Sequence, residues 1–139
     1  MNINVILDVG AKMPTKAHEG DAGFDIYTPF GICVPAHSST KVYTGVHMEI
    51  PKGYVGFLKS KSGLNVNHGI RCEGVIDAGF GGAIVAKLYN DSDETMFFDK
   101  GEKITQIVFL PIPEVTLKLV DEFKPTERGD NGFGSSGRF

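Results

Sequence analysis

Two of the glycine-containing segments of this 139-residue chain carry residues suited to phosphate and to divalent cations. Residues 21–26 read DAGFDI, with Asp25 at the start of a β-like run. A carboxylate there could reach a hydrated Mg²⁺, because that ion prefers oxygen ligands and keeps several of its waters. An Asx turn that feeds a strand is the alternative interpretation.

Residues 60–63 read SKSG, which places a lysine, two hydroxyls and a glycine at the end of a predicted strand. Such a segment can present backbone N–H groups and a cation to phosphate oxygens. It is not a Walker loop, because the G-x-x-x-x-G-K spacing is absent. A solvated turn would account for the same residues.

Residues 74–82 read GVIDAGFGG and predict a glycine-rich hairpin. Its bare backbone lets a flat ligand approach closely, and Phe80 offers a ring to pack against it. Asp77, if partly desolvated, could act as a general base. A plain hairpin turn is the competing interpretation, since Asp and Gly are common in turns.

The chain ends in a segment rich in glycine and serine, with RGDNGFGSSG at residues 128–137. Composition alone predicts a disordered tail. However, the segment also holds an arginine suited to phosphate, Arg128, and an aromatic suited to stacking, Phe133. A Gly-Ser run can wrap an anion. We therefore expect residues 124–139 to form a flexible arm that closes on a ligand.

Overall composition excludes several classes of protein. The formal net charge is −3, which argues against a general nucleic-acid or membrane binder. The histidines show no metal-ligand spacing, so a zinc site is not expected. Two cysteines, Cys33 and Cys72, are too few for a disulfide framework and favour free thiols. No apolar run approaches the ~18 residues that a membrane helix needs. We expect a cytoplasmic protein.

The elements that must position these segments are predicted to be short strands. Residues 41–50 alternate with period two, and no segment sustains a helical period, although 62–67 could form one or two helical turns. This pattern predicts an all-β domain over residues 1–123, a jelly-roll-like β-barrel, followed by the arm. Further strands are expected at residues 3–7, 54–59, 84–89, 95–98, 103–110 and 115–120.

Taken in order, and with GEKITQ at residues 101–106, these segments resemble the five motifs of the homotrimeric dUTPase family, the dUTP pyrophosphatases. The similarity runs from Asp21 to Gly137, and the SKSG and IDAG variants look most like the phage and Gram-positive branch. The resemblance implies Mg²⁺-assisted hydrolysis of dUTP to dUMP and pyrophosphate. That reaction keeps uracil out of DNA and supplies dUMP for thymidylate synthesis. The resemblance also implies a homotrimer with shared active sites.

The resemblance also implies roles for individual residues. Asp77 would orient and deprotonate the water that attacks the α-phosphorus, and Asp25 would hold Mg²⁺ through water. Phe80 would lie under the deoxyribose and exclude a 2′-hydroxyl. Phe133 would stack on the base. The other substrate-binding residues implied are Lys61, Ser62, Gly63, Gly74, Val75, Ile76, Gln106, Arg128, Gly134, Ser135 and Ser136.

The sequence departs from the family pattern at two of these positions and leaves two alternatives open. Lys61 stands where arginine is usual, and Phe80 stands where tyrosine is usual. The dCTP deaminase family shares the fold, but its chemistry needs a glutamate where this chain has Lys87, ten residues after Asp77. A nucleotide-sensing protein that binds a regulatory partner is the other alternative. A site that binds a nucleotide without turning it over is disfavoured, because the residues needed for catalysis are all present: Asp77, Asp25, Ser62 and Arg128.

Overall fold

The computed structural model describes all residues, 1–139, and confirms that the chain is mostly β. Eleven short strands and one helix follow one another along the first 111 residues. The strands are β1 (Asn4–Leu7), β2 (Gly23–Tyr27), β3 (Ile32–Val34), β4 (Ser39–Tyr43), β5 (Val46–Glu49), β6 (Tyr54–Lys59), β7 (Ile70–Arg71), β8 (Gly74–Ile76), β9 (Val85–Asn90), β10 (Met96–Phe98) and β11 (Lys103–Pro111), and the helix α1 (Ser62–His68) lies between β6 and β7.

All strand pairs are antiparallel and they form four separate sheets. The largest sheet has the order β2-β11-β6-β8, and a second has the order β4-β9-β7. The pairs β1-β5 and β10-β3 complete the arrangement. The jelly-roll-like architecture is confirmed, with several short ladders in place of one closed barrel.

The period-two patterns place one face of each strand in the core. In β9, Ala86 and Leu88 are fully buried, whereas Lys87 between them is only partly covered. The buried amide of Asn90 donates to the carbonyl oxygens of Val34 (2.9 Å) and Glu94 (2.8 Å), so the polar group is satisfied. Most of the candidate functional groups lie at strand ends and turns, whereas Asp25 and Gln106 lie within β2 and β11.

The predicted helical turns after residue 61 are confirmed as α1. Its last turn ends at Gly69, whose φ of 69° is in the left-handed region that glycine tolerates. The helix has seven residues, and no helix of the structure is long and apolar enough to cross a membrane. Cys33 is exposed and Cys72 is buried, and both are free thiols.

The prediction of a strand at residues 115–120 is wrong. The backbone N–H of Ile112 donates to the carbonyl of Gly53 (2.8 Å), and beyond this bond the chain is exposed and has no strand partner. Alternating apolar residues are present, with Leu117 and Leu119 more than nine-tenths exposed. A strand also needs a neighbour with which to share hydrogen bonds, and within its own chain this segment has none.

Candidate active site

The Asp25 carboxylate is the buried centre of a charge cluster whose two lysines are partly exposed. Asp25 lies in the middle of β2, and its side chain is only 8% exposed. The ammonium groups of Lys61 and Lys103 both donate to it, Lys103 to Oδ2 at 2.9 Å. Burial acts to raise the pKa of Asp25, but the two lysines outweigh it and hold the pKa below its usual value. Asp25 is therefore an ionised acid at neutral pH.

Lys103 is a member of this cluster that the sequence analysis missed. It begins β11, the strand that pairs with β2, and its hydrogen bond to Asp25 raises the pKa of its own ammonium group. In the sequence it is one lysine at a strand end, which is usually a solvated position. Only its place within the GEKITQ segment could have singled it out.

Gln106 connects the GEKITQ segment to the SKSG segment. In β11 it pairs with Asp25 of β2 on one side and with Lys59 of β6 on the other. Its side-chain amide donates to the carbonyl of Ser60 at 3.0 Å. Gly23 makes room for it, because a Cβ at that position would collide with the Gln106 amide. We refer to Asp25, Lys61, Lys103 and Gln106 as the Asp25 cluster.

The SKSG segment is fixed against the start of the next hairpin. The Ser60 hydroxyl accepts from the backbone N–H of Cys72 at 3.0 Å, which holds the turn beside β7. Ser62 and Gly63 follow at the first turn of α1 and are exposed. The structure thus brings Lys61 to Asp25 and leaves the Ser62 hydroxyl and the Gly63 backbone facing solvent.

The hairpin, residues 74–82, presents the candidate base. Asp77 directly follows β8 and is exposed, so the partial desolvation considered from the sequence is not evident within its own chain. Gly79 has a φ of 85°, which the turn requires. The Phe80 ring is 45% exposed and lies over Gly82, where a Cβ would be 2.6 Å from ring atom Cζ.

The side chains of β8, the first strand of the hairpin, differ in exposure. Val75 is 61% exposed and Ile76 is buried, so only the backbone and alternate side chains of residues 74–76 are available to a ligand. Gly74 packs closely on Leu58, since a Cβ there would be 3.1 Å from Leu58 Cδ1.

The Asp25 cluster and Asp77 lie at opposite ends of the β6-β8 pair. Ile76, next to Asp77, pairs with Gly56 near the start of β6, whereas the SKSG segment follows the last residue of β6, Lys59. The strand from Gly56 to Lys59 alone spans about 10 Å at ~3.3 Å per residue. We refer to the hairpin with Asp77 and to the Asp25 cluster as the two half-sites of the chain.

The arm contacts neither half-site of its own chain. All its residues are exposed, and its hydrogen bonds stay within residues 126–137, such as Arg128 Nε to the carbonyl of Asn131 at 2.9 Å. Phe133 is fully exposed. The structure thus keeps the predicted arm residues Arg128, Phe133, Gly134, Ser135 and Ser136 together, and apart from the other predicted site residues.

The residues present fit a divalent cation held through water better than a direct metal site. The chain has no group of three or more His, Cys, Asp or Glu side chains placed to hold a metal ion. The ionised Asp25 carboxylate is a hard oxygen donor of the kind that Mg²⁺ prefers, and both of its oxygens are now occupied by ammonium groups. An outer-sphere contact would therefore have to replace or share a lysine contact.

The fold and these groups define a class of protein: an all-β protein with an exposed acid on a glycine-rich hairpin, a charge cluster around Asp25 and an exposed carboxy-terminal arm, suited to a phosphorylated nucleotide. The dUTPase family model matches residues 10–137. The chain therefore belongs to the dUTPase family.

Relatives and solved structures agree with this assignment. The deoxyuridine 5'-triphosphate nucleotidohydrolase of Clostridium kluyveri is 38% identical over 130 residues, covering 91% of each chain. That of Cutibacterium acnes is 38% identical over 133 residues, covering 93% of this chain and 88% of the relative. The dUTPase of Staphylococcus bacteriophage 80alpha with dUpNHpp aligns with a TM-score of 0.91 at 32% identity, covering 98% of each chain. A mutant dUTPase of phage phi11, solved for the coordination of a structural Mg(II) ion, aligns at 0.82 with 27% identity over 90% of this chain and all of that one.

Proposed function

We propose that this protein hydrolyses dUTP to dUMP and pyrophosphate. A water oxygen bonds to the α-phosphorus, Asp77 accepts the proton, and the bond from the α-phosphorus to the bridging oxygen breaks so that pyrophosphate leaves. The observation that carries the proposal is the family match over residues 10–137, in which Asp77 stands on an exposed glycine hairpin. The chemistry asks the protein mainly to position the reactants and to neutralise charge.

We infer that the active site is shared in a homotrimer. Asp77 and the Asp25 cluster lie at opposite ends of one strand pair, so a neighbouring copy can unite them more readily than one chain can. The exposed apolar residues of the segment after β11, such as Leu117 and Leu119, support an intersubunit role for that segment. Burial in such an interface would also remove the exposed Asp77 from water.

The substrate-binding roles follow from what each half-site offers. At the hairpin end, the backbone of residues 74–76 reads the uracil edge and Phe80 packs under the deoxyribose. At the other end, Lys61, Ser62, Gly63 and Gln106 contact phosphates. The arm closes over the nucleotide, with Phe133 on the base, and excludes water. Gly134, Ser135, Ser136 and Arg128 grip phosphate oxygens.

In this arrangement, Mg²⁺ would bind together with the triphosphate. The triphosphate oxygens would supply its direct ligands and Asp25 would contact its waters, as expected for an ion that keeps several waters in nucleotide sites. When bound, the ion neutralises charge on the phosphates. Lys61 and Lys103 hold the Asp25 carboxylate ionised for this contact.

The cellular role that we propose is to keep uracil out of DNA and to supply dUMP. The buried, free thiol of Cys72 supports a reducing compartment, the cytoplasm of the cell or of a phage host. A regulatory protein partner stays a prediction, to be tested by measuring dUTP turnover against added host proteins.

The test of the proposed activity is pyrophosphate release from dUTP with Mg²⁺, measured beside dCTP, dTTP and UTP. We expect rapid turnover of dUTP alone, because a packed ring at Phe80 excludes a 2′-hydroxyl and the hairpin backbone selects uracil. Ammonia release from dCTP would instead favour the deaminase alternative. In that case a group other than Lys87 would have to replace the glutamate that the deaminase chemistry needs, since the Lys87 ammonium lies over the Tyr89 ring, 5.1 Å from its centre.

A further inference from the structure

His47 joins the hairpin to the β1-β5 sheet through both of its ring nitrogens. It lies in β5, opposite Ile6 of β1. Nδ1 is 2.9 Å from the carbonyl oxygen of Gly81, and Nε2 is 3.0 Å from Oδ1 of Asp8, just after β1. The imidazole therefore spans the gap between the amino-terminal segment and the hairpin.

Both partners of this ring are hydrogen-bond acceptors. A carbonyl oxygen and an ionised carboxylate accept but cannot donate, and a neutral imidazole has only one N–H. Only the imidazolium form of His47 can therefore make both hydrogen bonds at once.

We propose that His47 is a pH-sensitive positioning residue whose imidazolium form fixes the hairpin against Asp8. Because Asp77 and Phe80 are on that hairpin, protonation of His47 adjusts the half-site that carries the base. The link to catalysis rests on the roles proposed for those two residues, whereas the tether itself does not.

The charged groups around the ring favour the protonated form. The Gly81 carbonyl and then Asp8 raise the pKa of His47, and together they outweigh the opposing effect of burial. Glu49, two residues along β5, lines the same cavity and adds a negative charge. The hairpin carries one titratable group, Asp77, and contributes no cation.

The direction of the effect follows from this raised pKa. The imidazolium tether is complete below the ordinary histidine pKa of 6.5 and is lost as the pH rises through the higher value in the folded protein. The hairpin is thus held most firmly in mildly acidic solution. In alkaline solution the neutral imidazole keeps only one of its two hydrogen bonds, so the link between the hairpin and Asp8 is broken.

The chain offers a variant that keeps the tether and removes its pH dependence. In Asp8→Asn, the new amide can donate to Nε2 of a neutral His47, while Nδ1–H still donates to Gly81. His47→Gln is the second variant, because both amide donors are on one nitrogen, whereas the two acceptors face different ring nitrogens of His47. His37→Asn is the control, because His37 pairs with Asp93 (2.6 Å) at an exposed surface outside both half-sites.

The experiment follows His47 and the backbone amides of residues 77–82 by NMR from pH 6 to 8.5, using the full-length protein. In the wild type and in His37→Asn, we expect the amide shifts to follow the His47 titration. In Asp8→Asn, they should stay constant. The KM for dUTP, at saturating Mg²⁺, should rise roughly three- to tenfold over this range relative to Asp8→Asn, the effect of one lost hydrogen bond. His47→Gln should show the higher KM at every pH.

The outcomes separate the tether from the proposed chemistry. A neutral His47 at pH 6, or identical hairpin titrations in the wild type and Asp8→Asn, would overturn the inference. Hairpin shifts that follow His47 while KM stays flat would support the tether and count against the substrate-binding role of the hairpin.

Discussion

Asp25 and Lys61 form a part-buried ion pair across 36 positions of sequence. The acid proposed to face magnesium is thereby bound to the lysine proposed to face phosphate. In the free protein these groups neutralise each other, and a triphosphate with its metal ion would offer each a stronger partner. Binding of the nucleotide therefore exchanges one set of ion contacts for another.

Lys61 should contribute strongly to substrate affinity. Lys61→Ala removes a charge-assisted contact, and we expect the KM for dUTP to rise about 10- to 100-fold. Lys61→Arg should retain or tighten binding, because a guanidinium can contact phosphate with two N–H groups. Lys59→Ala is the matched control, since Lys59 pairs with Glu73 (3.0 Å) at a half-exposed surface and should change KM little. Equal effects at both lysines would contradict the assignment.

The Asp25 cluster should make the fold sensitive to acid. The pKa of Asp25 is lowered from 3.8, so its stabilising effect is complete above that pH and is lost as the pH falls through the lower, folded value. Asp25→Asn should cost about 1–3 kcal/mol of unfolding free energy at pH 7. The difference from the wild type should shrink towards pH 3. Urea unfolding between pH 3 and 7 measures this, and a constant difference would refute it.

Asp77→Asn should abolish turnover while leaving the fold intact. Asp77 is exposed, so the amide introduces no packing defect. Loss of a general base costs about 10²- to 10⁴-fold in rate. Pyrophosphate release gives the rate, and binding of a non-hydrolysable dUTP analogue checks that the site remains. Asp93→Asn, at another exposed turn, is the control. A normal rate for Asp77→Asn would exclude it as the base.

Truncation after Arg128 should separate folding from catalysis. The arm makes hydrogen bonds only with itself, so the melting temperature and oligomeric state should not change. Turnover should fall severely, because the shortened chain loses Phe133 and the Gly-Ser run proposed to close over the nucleotide. Calorimetry, a sizing column and steady-state kinetics give the three readouts. Full activity of the truncated protein would show that the arm is no lid.

Mixing an inactive variant with one of weakened dUTP affinity should restore turnover at low dUTP concentration if the half-sites come from different copies. Asp77→Asn keeps a normal Asp25 cluster, and a chain that carries Lys61→Ala keeps a normal hairpin. After unfolding and refolding together in equal amounts, about a quarter of the sites should combine two intact halves. A site built within one chain would give no recovery, and monomers on a sizing column would exclude sharing altogether.

Much of the fold and of the candidate site could be predicted because the signals are local. The alternation in residues 84–89 reports which side chains face the core, and the glycines of the hairpin report a turn. Family motifs identify Asp25 and Asp77 by residue type and order. The strand predicted at residues 115–120 failed for the opposite reason: alternation gives a face, but not a neighbouring strand.

By itself, the sequence determined most of the strands, the glycine-marked turns and which acids and cations are available for chemistry. Only the tertiary structure decided which of them meet. Strand register aligns Gln106 with both Asp25 and Lys59, carries Lys103 to Asp25 and sets His47 between Asp8 and Gly81. These contacts join residues far apart in the chain, and long-range hydrogen-bonded pairing, not local propensity, fixes them.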